Sequence, residues 1–526
     1  MKSYGRWLRI AAFAMSSTTI FATQIVPPKP SGATPSASAA VNSSTLLQWL
    51  LSSPFSKNEF EQFLADAKRA EAIHDPLKRC LSYPEPPSLA WSKTVTSAYC
   101  HFQLDPLVSP TVVRELIRTN RAAELDRRLA RGMKAQLSRT NAQGVLDSTY
   151  SIDFKNDSEE TRALIDAWKR QSPKSAFALA ASGTSYVQMA QSARGTDSSQ
   201  ATPENNLESM HRLMENARED LDEAVLIDPR VLPAYGSMIL AAAFEGDREY
   251  ATNAARRGLA IDPANYSIYA RLAWKAQPKW GGSIPMMQRV IAQAAAHAAD
   301  NPLLRLISSE SNDAEDYVSD CNCSPAEEID IYKRVFAEAG PVGMLLSAGS
   351  GAESRNAPIL STIYRSESLR FDPTQLNARI GRVSNLTDVG DTQWALSEAN
   401  ALVAIAPQNE NVFDARGRIY QTLGDLTHAV QDFERALRIS PEDTWTLSTL
   451  GSIYVYSVHD WDKGWEISSR LIQAAPDNPQ GWLLRARIQR DQPRAGLNET
   501  EADFVARFGD DPKQQAAIEE MRAALK

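Results

Sequence analysis

The stretch NVFDARGRIYQTLGDLTHAVQDFERALRISP, residues 411–441, decides the fold. Phe413, Gly417 and Tyr420 share one face of a first helix, and Gly424-Asp425 makes a turn. Ala429, Phe433 and Ala436 then line a second helix at i, i+4 and i+7, until Pro441 stops it. Gly417 and Ala429 are small enough to let two antiparallel helices approach closely, with the aromatic side chains filling the space above and below. A hairpin of this size cannot bury its own apolar face, so neighbours must stack on it.

Those neighbours can be read outward from it. Pro373, Pro407, Pro441 and Pro476 are separated by 34, 34 and 35 residues. Leu447, Gly451 and Tyr454 repeat the first-helix pattern, Trp461 and Trp465 thicken the second helix, and the extra residue is expected in the 458–460 turn. Trp482 and Ala486 open a half repeat, and the polar stretches 504–508 and 512–525 read as closing helices that cover the last apolar face. Upstream, Leu179, Gly183 and Tyr186 stand in the same phase after Ser172-Pro173, with a polar insertion at 193–206 in place of a tight turn. Pro229 and Pro263 are again 34 apart, enclosing Tyr235, Gly246-Asp247, Ala251, Ala255 and Gly258. Tyr269, Leu272 and Ala273 open a further hairpin, whose turn is replaced by 277–283.

These residues resemble the tetratricopeptide repeat. The resemblance implies an all-α chain, a right-handed α-solenoid of helical hairpins in two blocks at 161–306 and 357–495, and a scaffold that binds a protein or peptide. In that family the first helix of each hairpin lines a groove. Carried onto this chain, the lining is Asp414, Arg418 and Gln421, then Ser448, Ser452 and Tyr456, then Arg487. A mixed polar and aromatic lining suits an extended peptide or a partner helix. Members that clamp a C-terminal carboxylate use Lys and Asn in the groove, and Asp414 and Ser448 depart from that pattern. Residues 161–306, with Trp168, Ser172-Pro173, Arg194-Gly195 and Trp280-Gly281-Gly282-Ser283, also resemble a bacterial domain of unknown function, which implies no activity.

Composition agrees with a helical protein that binds no nucleic acid. Hydrophobic residues make up 43% and charged residues 23% of 526, and the formal net charge of −8 argues against a dominant nucleic-acid surface. No apolar run is long enough to span a bilayer. At the N-terminus, Lys2, Arg6 and Arg9 precede an apolar stretch from Ile10, as in a secretory signal over 1–22; the other reading is a frayed tail. Export to the periplasm or beyond is the expectation, with a cytoplasmic protein as the alternative. Residues 23–44, rich in Pro, Ser and Ala, read as a linker. In an exported chain Cys80 and Cys100 could pair across the turn at 84–87; otherwise they are two buried thiols.

Residues 45–160 show no repeat phase and are expected to form a separate helical N-terminal domain. Its helices should include 46–51, one capped by Ser56 that buries Phe60, Phe63, Leu64 and Ala67, one over 88–104, one over 111–117 and a longer one to about Ser138. Arg121, Arg127, Arg128, Arg131 and Lys134 lie off the Leu125, Leu129, Met133 stripe and form a basic face. That face could touch an anionic surface, giving peripheral membrane contact, or simply be solvated. Residues 307–356 read as an irregular connector with one helix capped by Ser324, Gly349-Ser350-Gly351 as a hinge, and 496–526 as the cap.

Reactive chemistry finds little support. Asp320, Asn322 and Ser324 alternate as in a calcium loop, but Pro325 stands where that loop requires glycine. Cys321 and Cys323 would need further ligands from far away, no two of the six histidines lie three to five apart, and no phosphate-cradling glycine loop occurs. No metal, no cofactor and no catalytic residue is therefore assigned. The reading is a non-catalytic scaffold. Its alternative is an enzyme whose active site lies in the N-terminal domain or at 277–283, with the repeats recruiting substrate.

Overall fold

The computed structural model of the chain describes residues 55–138, 144–195, 201–310 and 324–526. The expected signal segment, the linker, the helix at 46–51 and the pair Cys321 and Cys323 lie outside them. Every regular element among the described residues is helical.

Ser56 caps α1 (Lys57–Glu71): its hydroxyl accepts the Glu59 N–H at 3.2 Å, while the Glu59 carboxylate accepts the Ser56 N–H at 2.6 Å. Phe60, Phe63, Leu64 and Ala67 are buried along one face, as the spacing requires. Asp75 caps α2 (Pro76–Leu81), and after a proline-rich turn the chain enters α3 (Lys93–Leu104). A Cys80–Cys100 disulfide with a Cα–Cα distance of 5.8 Å ties α2 to α3. The pairing, rather than two separate thiols, is what the structure contains.

The chain divides into two compact units, 105–275 and 55–104 with 276–526. This departs from a separate N-terminal domain over 45–160, and the reason is visible in the first unit's core. The first unit contains α4 (Pro110–Arg118), α5 (Ala122–Leu137), α6 (Val145–Asp153), α7 (Glu159–Gln171), α8 (Ala176–Arg194), α9 (Glu204–Ile227), α10 (Leu232–Glu245), α11 (Arg248–Ile261) and α12 (Tyr266–Ala276). One apolar cluster runs through them from Val108 to Ile268 without a break near residue 160. Trp168 on α7 is fully buried, and its Nε1 donates to Asp126 of α5 at 3.0 Å. The same carboxylate oxygen accepts from Ser175 Oγ at 2.7 Å, at the start of α8. Gly183 lets α8 lie against Leu221 of α9, where a Cβ would overlap that leucine. The expected helix over Thr111–Ile117 and the longer one to about Ser138 are α4 and α5, divided at Asn120, whose φ is 58°.

The second unit continues through α13 (Ile284–Ala296), α14 (Pro325–Val335), α15 (Val342–Ser354) and α16 (Pro358–Phe371). Ser324 and Glu327 form the expected capping box at the start of α14. Among the described residues of 307–356 there are two α-helices, α14 and α15, because Gly349-Ser350-Gly351 lies inside α15 and is no hinge. Its glycine has a packing role. A Cβ at Gly349 would sit 2.9 Å from Arg365 Cγ, and one at Gly381 would overlap the Arg365 guanidinium. The two glycines thus make room for a buried arginine, which donates to Ser361 Oγ and to the Asn377 carbonyl, each at 3.2 Å.

Residues 55–104 belong to this unit because their polar groups are satisfied there. Trp91 Nε1 donates to the Phe336 carbonyl at 2.6 Å, Tyr332 OH to the Pro87 carbonyl at 2.7 Å, and Arg370 Nε to the Cys80 carbonyl at 3.0 Å. The Tyr99 ring lies tilted against Phe371 with centres 4.7 Å apart, beside the disulfide-bonded Cys100 in sequence.

Four hairpins follow: α17 (Leu376–Asp388) with α18 (Thr392–Ile405), α19 (Glu410–Thr422) with α20 (Leu426–Ile439), α21 (Thr444–Ser452) with α22 (Trp461–Ala474), and α23 (Pro479–Asp491) with α24 (Leu497–Phe508). The helix α25 (Gln515–Ala524) ends the array. Pro373, Pro407, Pro441 and Pro476 each fall in the loop before a hairpin, as their spacing predicts. The extra residue does not sit in the 458–460 turn. It is taken up by a π-helical stretch, Ile453–Val458, that ends α21, with Asp460 N–H returning to the Tyr454 carbonyl at 3.0 Å.

Candidate protein-binding groove

The first helices α17, α19, α21 and α23 set the groove row, because glycines bring them close to their neighbours. A Cβ at Gly417 would stand 2.9 Å from Phe433 Cε1, and one at Gly451 would stand 2.7 Å from Leu484 Cδ1. Each contact is tighter than ordinary packing allows, so a side chain at Gly417 would press on the Phe433 ring and one at Gly451 would displace the Leu484 methyl. Within the first two hairpins an ion pair recurs at the same offset: Arg382 with Glu398 and Arg416 with Asp432, both at 2.7 Å.

The expected lining residues do not all face an open groove. Arg418 pairs with Asp388 of the preceding repeat, and Asp414 contacts Thr446 Oγ1 of the following one at 2.8 Å. Ser448 is 1% exposed, so it belongs to the packing between helices and offers nothing to a partner. Ser452 Oγ donates to the Ser448 carbonyl at 2.8 Å and accepts from Gln480 Nε2 at 3.0 Å. Gln421 is half-buried. Tyr456 is 48% exposed, at the π-helical turn, and the Arg487 guanidinium lies 5.9 Å from its ring centre. Arg487 also pairs with Asp491 at 2.5 Å. The accessible part of the row is therefore its C-terminal end, with an aromatic ring beside a guanidinium.

Burial shapes the electrostatics of the row. It pushes Asp388 up to about 6, against the pull of Arg418. Asp414 is raised to about 7 by burial and by Asp443, Glu410 and Asp432, against the Thr446 hydrogen bond. Asp388, Thr446 and Gln480 were not among the expected site residues. A signal for Asp388 existed: it precedes Thr422, at the end of the next first helix, by one 34-residue period.

A second charged constellation lies at the start of the array. Arg382, 2% exposed, bonds Glu398 and also Glu71 of α1, with Nη2 to Glu71 Oε2 at 2.9 Å. Burial alone would raise Glu71, but the charge and hydrogen bonds of Arg382 bring it below its ordinary value. Lys68 pairs with Asp391 at 3.0 Å and lies over the Trp394 ring. These partners satisfy one another, so the cluster fastens α1 to the first repeat.

The basic face on α5 separates into two sets. Arg121 and Arg128 share Glu124, whose carboxyl their hydrogen bonds hold low. Arg127, Arg131 and Lys134 are exposed, with no ion pair among the described residues. The Trp280-Gly281-Gly282-Ser283 turn is structural in its geometry. Gly281 has φ 77°, a Cβ on Gly282 would overlap the Ala276 carbonyl, and Ser283 caps α13. None of the six histidines is buried. No described helix is long and apolar enough to cross a membrane.

Residues 412–443, the hairpin of α19 and α20, match the tetratricopeptide repeat family. The chain carries a tetratricopeptide repeat. Residues 110–251 match a family described as a domain of unknown function (DUF4034). That span starts ahead of the expected 161 and lies within the 105–275 unit, whose single core it shares. No curated protein matches the chain. Among solved structures, the tetratricopeptide domain of P58(IPK), a crystal structure at 2.5 Å, is similar at 14% identity with a TM-score of 0.22, covering 59% of this chain and 93% of that one. The tetratricopeptide repeat supports a protein-interaction scaffold as the general role.

Proposed function

We propose that this chain is a non-catalytic scaffold of the bacterial cell envelope that holds an extended peptide or partner helix in the groove of its tetratricopeptide block. The observation that carries the groove reading is Tyr456, 48% exposed beside Arg487 where the π-helical turn ends α21. An exposed aromatic next to a guanidinium is the combination that dominates binding energy at protein interfaces. Asp414, Arg418 and Ser452 tie neighbouring repeats together and so hold that end in register. The envelope location is supported by the basic-then-apolar N-terminus and by the Cys80–Cys100 disulfide, which persists in oxidising compartments.

Affinity capture with the full chain tests the groove, comparing wild type with Tyr456→Ala and Arg487→Ala. Each truncation at a binding hot spot should weaken a captured partner by about 2 kcal/mol, roughly thirtyfold, without lowering the melting temperature. Identical partner sets and affinities for all three proteins would remove the groove from the function. Thiol alkylation in cells tests the location. Cys80 and Cys100 should be protected from alkylation until a reductant is added.

A further inference from the structure

The junction between the second and third hairpins contains a hydroxyl within hydrogen-bond distance of two carboxylates. Thr446, fully buried, places Oγ1 at 2.8 Å from Asp414 Oδ1 and at 2.9 Å from Asp443 Oδ1. A threonine hydroxyl has one proton to donate. With both carboxylates ionised, one of these two contacts would set bare lone pairs against each other at hydrogen-bond distance. A second proton on one of the acids removes that conflict.

Geometry says which acid carries it. Asp443 is the N-cap of α21, and its Oδ1 already accepts the Thr446 N–H at 2.8 Å, so it is committed as an acceptor. Asp414 has no such donor. Asp443 of α21 bears on it, as does Asp432 of α20, which Arg416 neutralises. Of the other helices packed on α19, α17 carries Asp388, which Arg418 neutralises, and α18 carries Glu398, which Arg379 and Arg382 neutralise. On α19 itself stands Glu410. No cation pairs with Asp414 among the described residues, and its surroundings favour the uncharged acid.

We propose that Asp414 holds a proton, donating it to Thr446 Oγ1 while Thr446 donates to Asp443, and that this proton latches the second repeat to the third. Losing it leaves two anions competing for one hydroxyl, and the N-terminal turn of α21 loosens from α19. The groove is then proton-dependent at this joint, whatever it binds.

Two readouts on the full chain test the latch, and neither needs a partner. With aspartate carboxyls labelled with carbon-13, the resonance missing from Asp414→Asn should titrate near neutrality, since burial sets Asp414 to about 7. An ordinary aspartate titrates near about 3.9. The closed joint prefers the proton and the open one does not, so opening becomes easier as pH rises toward the midpoint. Hydrogen exchange at Thr446 and Leu447, corrected for intrinsic rates, should rise by up to about tenfold per pH unit between roughly pH 5 and 7. In Asp414→Asn, isosteric and permanently neutral, that slope should vanish. A midpoint in the ordinary aspartate range, or equal slopes in the two proteins, overturns the proposal.

Discussion

The 105–275 unit and the array at 376–508 are both built from helical hairpins, yet they bury their surface differently. In the first, one cluster reaches from Val108 to Ile268, and Trp168, Tyr150 and Phe154 join helices that are not repeat partners. In the second, from α20 onward, the described apolar clusters are smaller, around Phe433 and Leu447, around Val455 and Ile488, and around Trp482 and Phe504. Between and beside those groups run the ion pairs Arg382–Glu398 and Arg416–Asp432. Cooperativity should differ accordingly. A shared core fails as a whole, whereas a stack of neighbours fails joint by joint.

The largest effect expected follows from that contrast. Trp168→Ala and Phe433→Ala each remove a fully buried aromatic side chain and should cost about 3–5 kcal/mol. Hydrogen exchange should tell them apart. The first should lower protection throughout 105–275, and the second only in α19 to α22. Equal spread in both would mean that the array folds as one core after all.

Much of the array was legible because its constraints are local. A proline stop every 34 residues, a glycine where helices approach and an aromatic above it are all read from one hairpin at a time. The extra residue before Pro476 was also visible, but a count assigns it to a repeat and not to a place within one. The chain put it inside a helix, where it presents Tyr456. Groove positions followed from the period, while their availability did not. Ser448 is sealed and Arg418 is occupied because of partners in adjacent repeats that no single repeat contains. Least legible was the allegiance of 55–104. Its ties run from Trp91 to Phe336 and from Glu71 to Arg382, across 245 and 311 residues, and hydrophobic periodicity says nothing at that range.

That distant attachment sharpens the comparison, since the segment that packs on the array is itself cross-linked between α2 and α3. Cys80→Ser with Cys100→Ser opens a loop of 20 residues and should cost about 3 kcal/mol. The loss should appear first in α1 to α3 and in α16, where Arg370 bonds the Cys80 carbonyl. Protection in the 105–275 unit should be untouched by it, and a matching loss there would contradict the division into two units.

The smallest effect expected is on the basic face of α5. Arg127, Arg131 and Lys134 project from the helix while Leu125, Leu129 and Met133 hold it to the core, so the charges and the packing occupy different sides. Replacing all three by alanine should move stability by no more than about 0.5 kcal/mol, because no cavity, cap or buried partner is disturbed. Contact with anionic vesicles at low salt is then a clean readout of this face. A solvated face gives wild type and variant the same weak binding, whereas a docking face gives binding that both the triple variant and added salt abolish. A stability loss much beyond that figure would instead show that these side chains bear on the core, and would extend the shared packing of the first unit out to its surface.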